Sequence, residues 1–137
     1  MRRIDNIILH CTATSQNTTV ESIQRYWRDT LKWKSVGYHL IIQPNGVPVR
    51  LATDDKVCNG VAGHNANSIH ISYIGGIDSK GRPLDNRTQS QRETMRTLVE
   101  SYMKMYQNAK VRGHNDFTNK KACPSFKVSE WLKEVGL

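Results

Sequence analysis

The hydrophobic positions of this chain change their period several times, and the first two patterns predict a strand followed by a helix. Residues 4–9 are mostly apolar and adjacent to one another, which is typical of a buried strand. Between residues 20 and 31 the apolar side chains recur every three or four positions, as on one face of an amphipathic helix. Thr18 and Glu21 have the spacing of a capping box, so we expect this helix to begin at Thr18.

The next segment predicts a β-hairpin. Residues 38–43 form its first apolar stretch, Asn45 and Gly46 are a strong turn signal, and residues 47–51 form its second strand. Pro48 has no backbone N–H to donate to a neighbouring strand. The second strand is therefore expected at an edge of the sheet.

Two irregular stretches flank a further strand in the middle of the chain. Residues 53–68 are rich in Gly, Asn and Asp without a sustained period, which is typical of a loop that carries function. Residues 69–73 alternate between apolar and polar side chains, so we expect a strand with one buried face. Residues 75–86 form the second loop.

The last third of the chain predicts two helices with a short strand between them. Thr88 and Gln91 repeat the capping-box spacing, and residues 95–106 carry the apolar stripe of a long helix. Residues 110–112 form the short strand, and residues 128–135 have the apolar spacing of a final helix. This order of elements predicts a sheet covered by helices, in the α/β class with mixed α+β character.

Length and composition favour one domain. A chain of 137 residues without a linker or a composition break fits a single domain over residues 1–137. The amino terminus is positively charged, but the apolar run after it is too short for a secretion signal and lacks a small-residue cleavage site. We therefore expect cytoplasmic synthesis without a signal peptide. No stretch approaches the roughly 18 apolar residues of a membrane span, so no membrane insertion is expected.

The net charge narrows the class of binding partner, and the cysteine count indicates the state of the thiols. The formal net charge of +8 favours an anionic partner, such as an envelope polymer, a nucleic acid or a membrane surface. The lysines and arginines are scattered and form no nucleic-acid-binding motif, so nucleic acid is not the partner that we expect. Cys11, Cys58 and Cys123 are an odd number in a chain without a secretion signal, which favours free thiols over a disulfide framework.

Three residues that are far apart in the sequence have the side chains of a catalytic zinc site. His10 ends the first apolar run, and His114 and Cys123 follow the last short strand. Two imidazoles and one thiol would leave the fourth position of a tetrahedral zinc ion open for water, as catalytic sites do. Spacing alone is weak evidence, because a histidine that ends a buried strand is more often structural.

Four short segments carry a family resemblance, in the order in which that family has them. They are ILHCTAT (8–14), VGYHLII (36–42), NSI (67–69) leading to IGGID (74–78), and RGH (112–114) followed by KACPSF (121–126). With these segments the chain resembles the zinc-dependent N-acetylmuramoyl-L-alanine amidases of the type-2 amidase and peptidoglycan-recognition-protein superfamily. Among them, it is most similar to the small phage amidases.

The resemblance implies roles for five residues. It makes His10, His114 and Cys123 the ligands of one zinc ion, with water at the fourth position. It also implies that Tyr38 lies beside the metal and that Lys121 is the catalytic lysine. The segments contain no obvious glutamate base. Tyr38, Lys121 and the zinc-bound water must therefore share proton transfer, and the sequence does not assign a separate role to each. The implied fold has a central mixed sheet flanked by helices, with the zinc at the bottom of a surface groove.

The implied activity is hydrolysis of the amide bond between N-acetylmuramic acid and the L-alanine of the peptidoglycan stem peptide. A short form without a separate wall-binding module resembles a phage or prophage endolysin, which would act on the cell wall after release. We expect a monomer. One alternative is a non-catalytic peptidoglycan-binding module of the same fold, although the three retained ligands argue against it. Another is a regulatory protein that binds nucleic acid or a polymerase-like partner through its basic surface.

The chain departs from the family pattern around the third segment. Many members have a histidine early in the preceding loop, where residues 59–63 (NGVAG) have none. His64 follows shortly afterwards, and His70 replaces a glycine that is common after the Ser-Ile pair. As a polar residue on an alternating strand, His70 is expected to line the groove or to face solvent. His64, Asn67 and His70 are the candidate substrate-binding residues.

Overall fold

The computed structural model describes residues 2–137, which form a five-stranded sheet and three α-helices. The strands are β1 (Asn6–Cys11), β2 (Leu40–Ile42), β3 (Pro48–Arg50), β4 (Ser68–Tyr73) and β5 (Lys110–Gly113). The helices are α1 (Val20–Arg25), α2 (Gln89–Met105) and α3 (Val128–Glu134). A π-helical turn at Tyr26–Thr30 continues α1, and a 3-10 turn at His114–Asp116 follows β5. Among residues 2–137, no helix has the length and apolar character needed to cross a membrane.

The sheet is mixed, and its topology brings distant parts of the chain together. The strand order is β3-β2-β4-β1-β5, in which β2, β4, β1 and β5 are parallel and β3 pairs antiparallel with β2. Parallel neighbours end at the same edge of a sheet, which is where open α/β sheets bind their ligands. The end of β1, with His10, therefore lies beside the end of β5, which His114 follows directly.

Helices pack on both faces of the sheet, as predicted. On one face, β1 and β4 contact α2 and α3 through a buried apolar cluster that includes Ile7, Leu9, Ile69, Ile71, Met95, Val99, Val128 and Trp131. On the other face, Ile23 of α1 and Trp27 pack against Ile41 and Ile74. Each buried aliphatic or aromatic side chain of this size contributes about 1.5–3 kcal/mol. The sheet is therefore a rigid base for side chains at its edge.

The helix α2 and the edge strand β3 agree with the sequence-based predictions. The Thr88 N–H donates to Gln91 Oε1 at 2.9 Å, and the Gln91 N–H donates to Thr88 Oγ1 at 3.0 Å, which completes the predicted capping box. Pro48 opens β3, which lies at the edge of the sheet. The hairpin of β2 and β3 is confirmed by their antiparallel pairing.

Two local predictions are wrong. The capping-box spacing predicts Thr18 as the first cap, but the N-cap of α1 is Thr19, whose hydroxyl accepts the Ser22 N–H at 3.1 Å. Alternation predicts one buried face for β4, but all six of its residues are buried. The reason is that β4 lies in the middle of the sheet, where its polar residues are covered as well as its apolar ones.

A buried arginine ties the loop before α2 to α3. The Arg87 side chain is 2% exposed, and its guanidinium donates to both carboxylate oxygens of Asp85 at 2.9 Å. The guanidinium also lies 3.5 Å from the centroid of the Phe126 ring and 5.5 Å from that of Trp131. Burial disfavours the charged form of Asp85, but hydrogen bonds and charge from Arg87 outweigh it and lower the carboxyl pKa. This contribution to stability is therefore present at neutral pH and is lost as the pH falls through that lowered pKa.

We expect Asp85→Asn to lower the free energy of unfolding by about 3 kcal/mol, because it leaves the buried Arg87 charge without its partner. Denaturant unfolding at neutral pH measures the change. The matched control is Glu100→Gln, which removes a half-exposed pair with Arg96 and should cost less than about 1 kcal/mol. Equal losses in the two variants would show that burial does not strengthen the Asp85 pair.

Candidate functional site

His10, His114 and Cys123 lie together where the parallel strands end. One nitrogen or sulfur atom from each lies within 4.8 Å of the other two. His10 Nδ1 is 3.8 Å from Cys123 Sγ, and the ring centroids of His10 and His114 are 5.1 Å apart. Two imidazoles and a thiol are ligand types that suit zinc, and three such ligands leave one coordination position open. We call these three residues the ligand cluster. Their side chains fit a metal ion.

Burial keeps both histidines of the ligand cluster in the form that binds metals. Burial, followed by the neighbouring His70 and His114, lowers the pKa of His10 well below its ordinary value. Burial and the nearby Lys121 charge lower the pKa of His114 as well. Both imidazoles are therefore neutral at physiological pH, with a lone pair available for a metal.

The Cys11 backbone positions two parts of the site. Its N–H donates to Cys123 Sγ at 3.1 Å, and its carbonyl accepts the Tyr38 hydroxyl at 3.3 Å. Hydrogen bonding with the Cys11 thiol, together with burial, raises the pKa of the Cys123 thiol. A metal ion must therefore displace a proton from Cys123 when it binds.

Tyr38 lies against the ligand cluster, just before β2. Its ring centroid is 5.0 Å from that of His10 and 5.3 Å from that of Trp27, which packs on its other side. Burial, followed by the charges of Cys123 and Cys11, raises the pKa of the Tyr38 hydroxyl. The hydroxyl therefore stays protonated at neutral pH and serves as a hydrogen-bond donor.

Lys121 extends from the same loop as Cys123 and is exposed. Its positive charge adds to the effect of burial in lowering the pKa of His114, and it opposes part of the rise in the Cys123 pKa. Lys121 therefore interacts electrostatically with the ligand cluster. Asn115 holds this loop in place. Its side-chain amide donates to the carbonyls of Ala122 and Phe126 at 3.2 Å, and its N–H donates to the Cys123 carbonyl at 2.8 Å.

Comparison with known proteins agrees with this geometry. Residues 1–126 match the sequence profile of a family described as N-acetylmuramoyl-L-alanine amidase. The chain belongs to this amidase family. A relative, the endolysin of Escherichia phage T7, is 38% identical over 132 residues, which are 95% of this chain and 86% of the endolysin.

Solved structures show the same amidase fold. The endolysin of Thermus scotoductus bacteriophage Ph2119 has a TM-score of 0.82 and 21% identity, and the match covers 97% of this chain and 85% of that one. The N-acetylmuramoyl-L-alanine amidase LysC of Clostridium intestinale also has a TM-score of 0.82, with 22% identity over 99% of this chain and 87% of LysC. The mixed sheet flanked by helices is therefore the amidase fold.

Two of the candidate substrate-binding residues of this amidase lie in different places. His64 is exposed on the loop before β4, with its ring centroid 4.6 Å from that of Phe117, next to the 3-10 turn that begins at His114. Asn67 lies at the opposite end of the strands from His10, where its side-chain amide donates to the Arg3 carbonyl at 2.8 Å. The structure therefore brings His64, and not Asn67, towards the ligand-cluster side of the sheet.

His70 neither lines a groove nor faces solvent, contrary to the sequence-based expectation. Its ring is completely buried, and its Nδ1 lies 2.9 Å from His10 Nε2. The ring lies so close to Gly60 that a Cβ atom there would overlap it. In this amidase an imidazole from β4 thus fills the space beside residues 59–63, the stretch that lacks the histidine of the family pattern.

Sequence reasoning missed Cys11 and Asn115 as parts of the site. Cys11 positions Cys123 and Tyr38 through its backbone N–H and carbonyl, which every residue type except proline offers together, so these two contacts leave no signal in the sequence. Asn115 acts mainly through its amide side chain, and its position directly after His114 is the one cue that the sequence holds.

Proposed function

We propose that this protein is a zinc-dependent peptidoglycan hydrolase, which cleaves the amide bond between N-acetylmuramic acid and the L-alanine of the stem peptide. The observation that carries the proposal is the ligand cluster of His10, His114 and Cys123 in a chain of the amidase family. These three side chains would hold one Zn²⁺ ion. The presence of all three argues against the alternative, a non-catalytic peptidoglycan-binding module of the same fold.

The chain supplies donors for the charge that develops during amide cleavage. Bound zinc would supply an activated water at neutral pH and polarise a carbonyl. Attack on an amide places negative charge on the carbonyl oxygen, which positioned hydrogen-bond donors and cations stabilise. The Tyr38 ring lies against the ligand cluster, and the Lys121 charge acts on it. The Lys121 ammonium is suited to this role, as is the Tyr38 hydroxyl once it turns away from the Cys11 carbonyl. Because Tyr38 stays protonated, we assign it as a donor and not as a base.

The biological setting that we propose is that of an endolysin, the name given to the phage T7 relative. The protein would act on the bacterial cell wall as a single-domain monomer after release from the cytoplasm. Its net charge of +8 would favour association with the anionic envelope. Added salt would screen this contribution.

The test is release of new L-alanine amino termini from purified peptidoglycan, measured with and without a zinc chelator. We expect release that the chelator stops and that added Zn²⁺ restores. Wall binding without new amino termini would instead support the non-catalytic module. If the protein neither binds the wall nor releases amino termini, both interpretations are wrong.

A further inference from the structure

A second buried histidine lies directly behind the candidate ligand His10. In the parallel pairing of β1 and β4, His10 is opposite Ser72, and His70 lies two positions before Ser72 on the same face of the sheet. This spacing makes His10 and His70 diagonal neighbours, with His10 Nε2 2.9 Å from His70 Nδ1. Both side chains are shielded from water, at 1% and 0% exposure.

The positions of the ring nitrogens indicate where the protons lie. His10 Nδ1 faces Cys123 Sγ, so Nδ1 is the His10 atom that is available to the ligand cluster. A neutral His10 that binds a metal through Nδ1 carries its proton on Nε2 and donates it to His70 Nδ1. His70, itself neutral, then carries its proton on Nε2. Within residues 2–137, this Nε2 is the one fully buried side-chain nitrogen or oxygen without a hydrogen-bond partner.

Packing on opposite sides fixes the orientation of the His70 ring. The backbone N–H of His70 donates to His39 Nδ1 at 3.0 Å, and the two rings stack with an interplanar angle of 11°. The Lys56 carbonyl accepts the proton on His39 Nε2 at 2.8 Å, which fixes that ring in turn. Gly60 packs against the His70 ring, where any larger residue would collide with it. A buried N–H without an acceptor, such as that of His70 Nε2, is unfavourable. The presence of an imidazole at this tightly packed position therefore needs an explanation other than packing.

We propose that His70 is a positioning residue for the metal centre, one that accepts the His10 Nε2 proton and so fixes the tautomer and the orientation of this ligand. The inference rests on the proposed zinc site. Partners of this kind, which hydrogen-bond to a ligating histidine, change metal affinity by about 10- to 100-fold. His70 thereby raises the affinity of the site without touching metal or substrate.

The test compares zinc dissociation constants, measured by competition with a chromophoric chelator. His70→Leu keeps an apolar side chain of comparable size but removes the acceptor, and should weaken zinc binding about 10- to 100-fold. His70→Asn places an amide oxygen near the position of Nδ1 and should recover most of the affinity. Gly60→Ala perturbs the ring from the loop side and should also weaken binding. Cys58→Ser, which changes a fully buried side chain outside the ligand cluster, is the control and should leave zinc affinity unchanged.

The absorption spectrum of the Co²⁺-loaded protein is a second measurement, because its bands report ligand geometry. A purely structural role for His70 would lower stability and leave these bands in place, whereas the positioning role predicts that they shift in His70→Leu and return in His70→Asn. Unchanged zinc affinity in His70→Leu, or equal losses in the Leu and Asn variants, would overturn the inference. Absence of zinc binding in the wild type would overturn the proposed function, and the inference with it.

Discussion

Cys123→Ser is expected to abolish the release of L-alanine amino termini from peptidoglycan and to weaken zinc binding by more than about 100-fold. The loss of zinc affinity should be this large because removing a ligand weakens binding more than removing a residue that only hydrogen-bonds to a ligand. The latter change weakens metal binding about 10- to 100-fold. The serine hydroxyl has nearly the shape of the thiol, but it is a poor zinc ligand at neutral pH. Chelator competition measures the affinity, and labelling of free amino termini measures the activity.

The matched control is Cys58→Ser. Cys58 is a fully buried cysteine outside the ligand cluster, and burial raises the pKa of its thiol to about 11, so it stays protonated. We expect Cys58→Ser to bind zinc and to release amino termini as the wild type does. Wild-type zinc affinity in Cys123→Ser would remove Cys123 from the proposed ligand set.

The outline of the fold follows from periodicity in the sequence, because burial of one face leaves a regular pattern. The stripe of α2, its capping box and the edge position of β3 all rest on local rules that the structure obeys. The start of α1 differs by one residue because Thr18 and Thr19 are both able to cap a helix, and the sequence does not rank them.

The burial of β4 lies beyond such local rules. Alternation of apolar and polar residues predicts one solvated face, but β4 is a central strand of a mostly parallel sheet that has helices packed on both faces. Its polar residues His70 and Ser72 are buried because the strand order places β4 between β2 and β1. Strand order depends on long-range pairing, which periodicity does not encode.

The candidate site, like the fold, was predicted from the sequence only in part. The family resemblance pointed to His10, His114 and Cys123, and the structure brings these three side chains together. The contact between His10 and His70 was not predicted, because it depends on the register of β1 against β4 and on the absence of a side chain at Gly60. The sequence shows the glycine, but neither its position against the His70 ring nor the register of the strands is visible without the three-dimensional structure.

Lys121→Ala is expected to keep its zinc and to lose about 100-fold or more in turnover. The side chain is exposed and holds no part of the core, so the fold and the ligand cluster should survive its removal. Its charge nevertheless acts on His114 and Cys123, the side chains around which we propose that the amide is cleaved. The measurements are zinc stoichiometry and a kcat determined on soluble peptidoglycan fragments.

Lys120→Ala separates chemistry from general electrostatics, since Lys120 is the adjacent exposed lysine of the same loop and carries the same charge. If the Lys121 ammonium stabilises the transition state, kcat falls in Lys121→Ala and stays near the wild-type value in Lys120→Ala. If the loop acts only by attracting the anionic wall, both variants lose apparent affinity to a similar degree, and salt reduces the difference from the wild type. Near-wild-type kcat in Lys121→Ala would remove the lysine from the mechanism and leave Tyr38 as the remaining donor beside the ligand cluster.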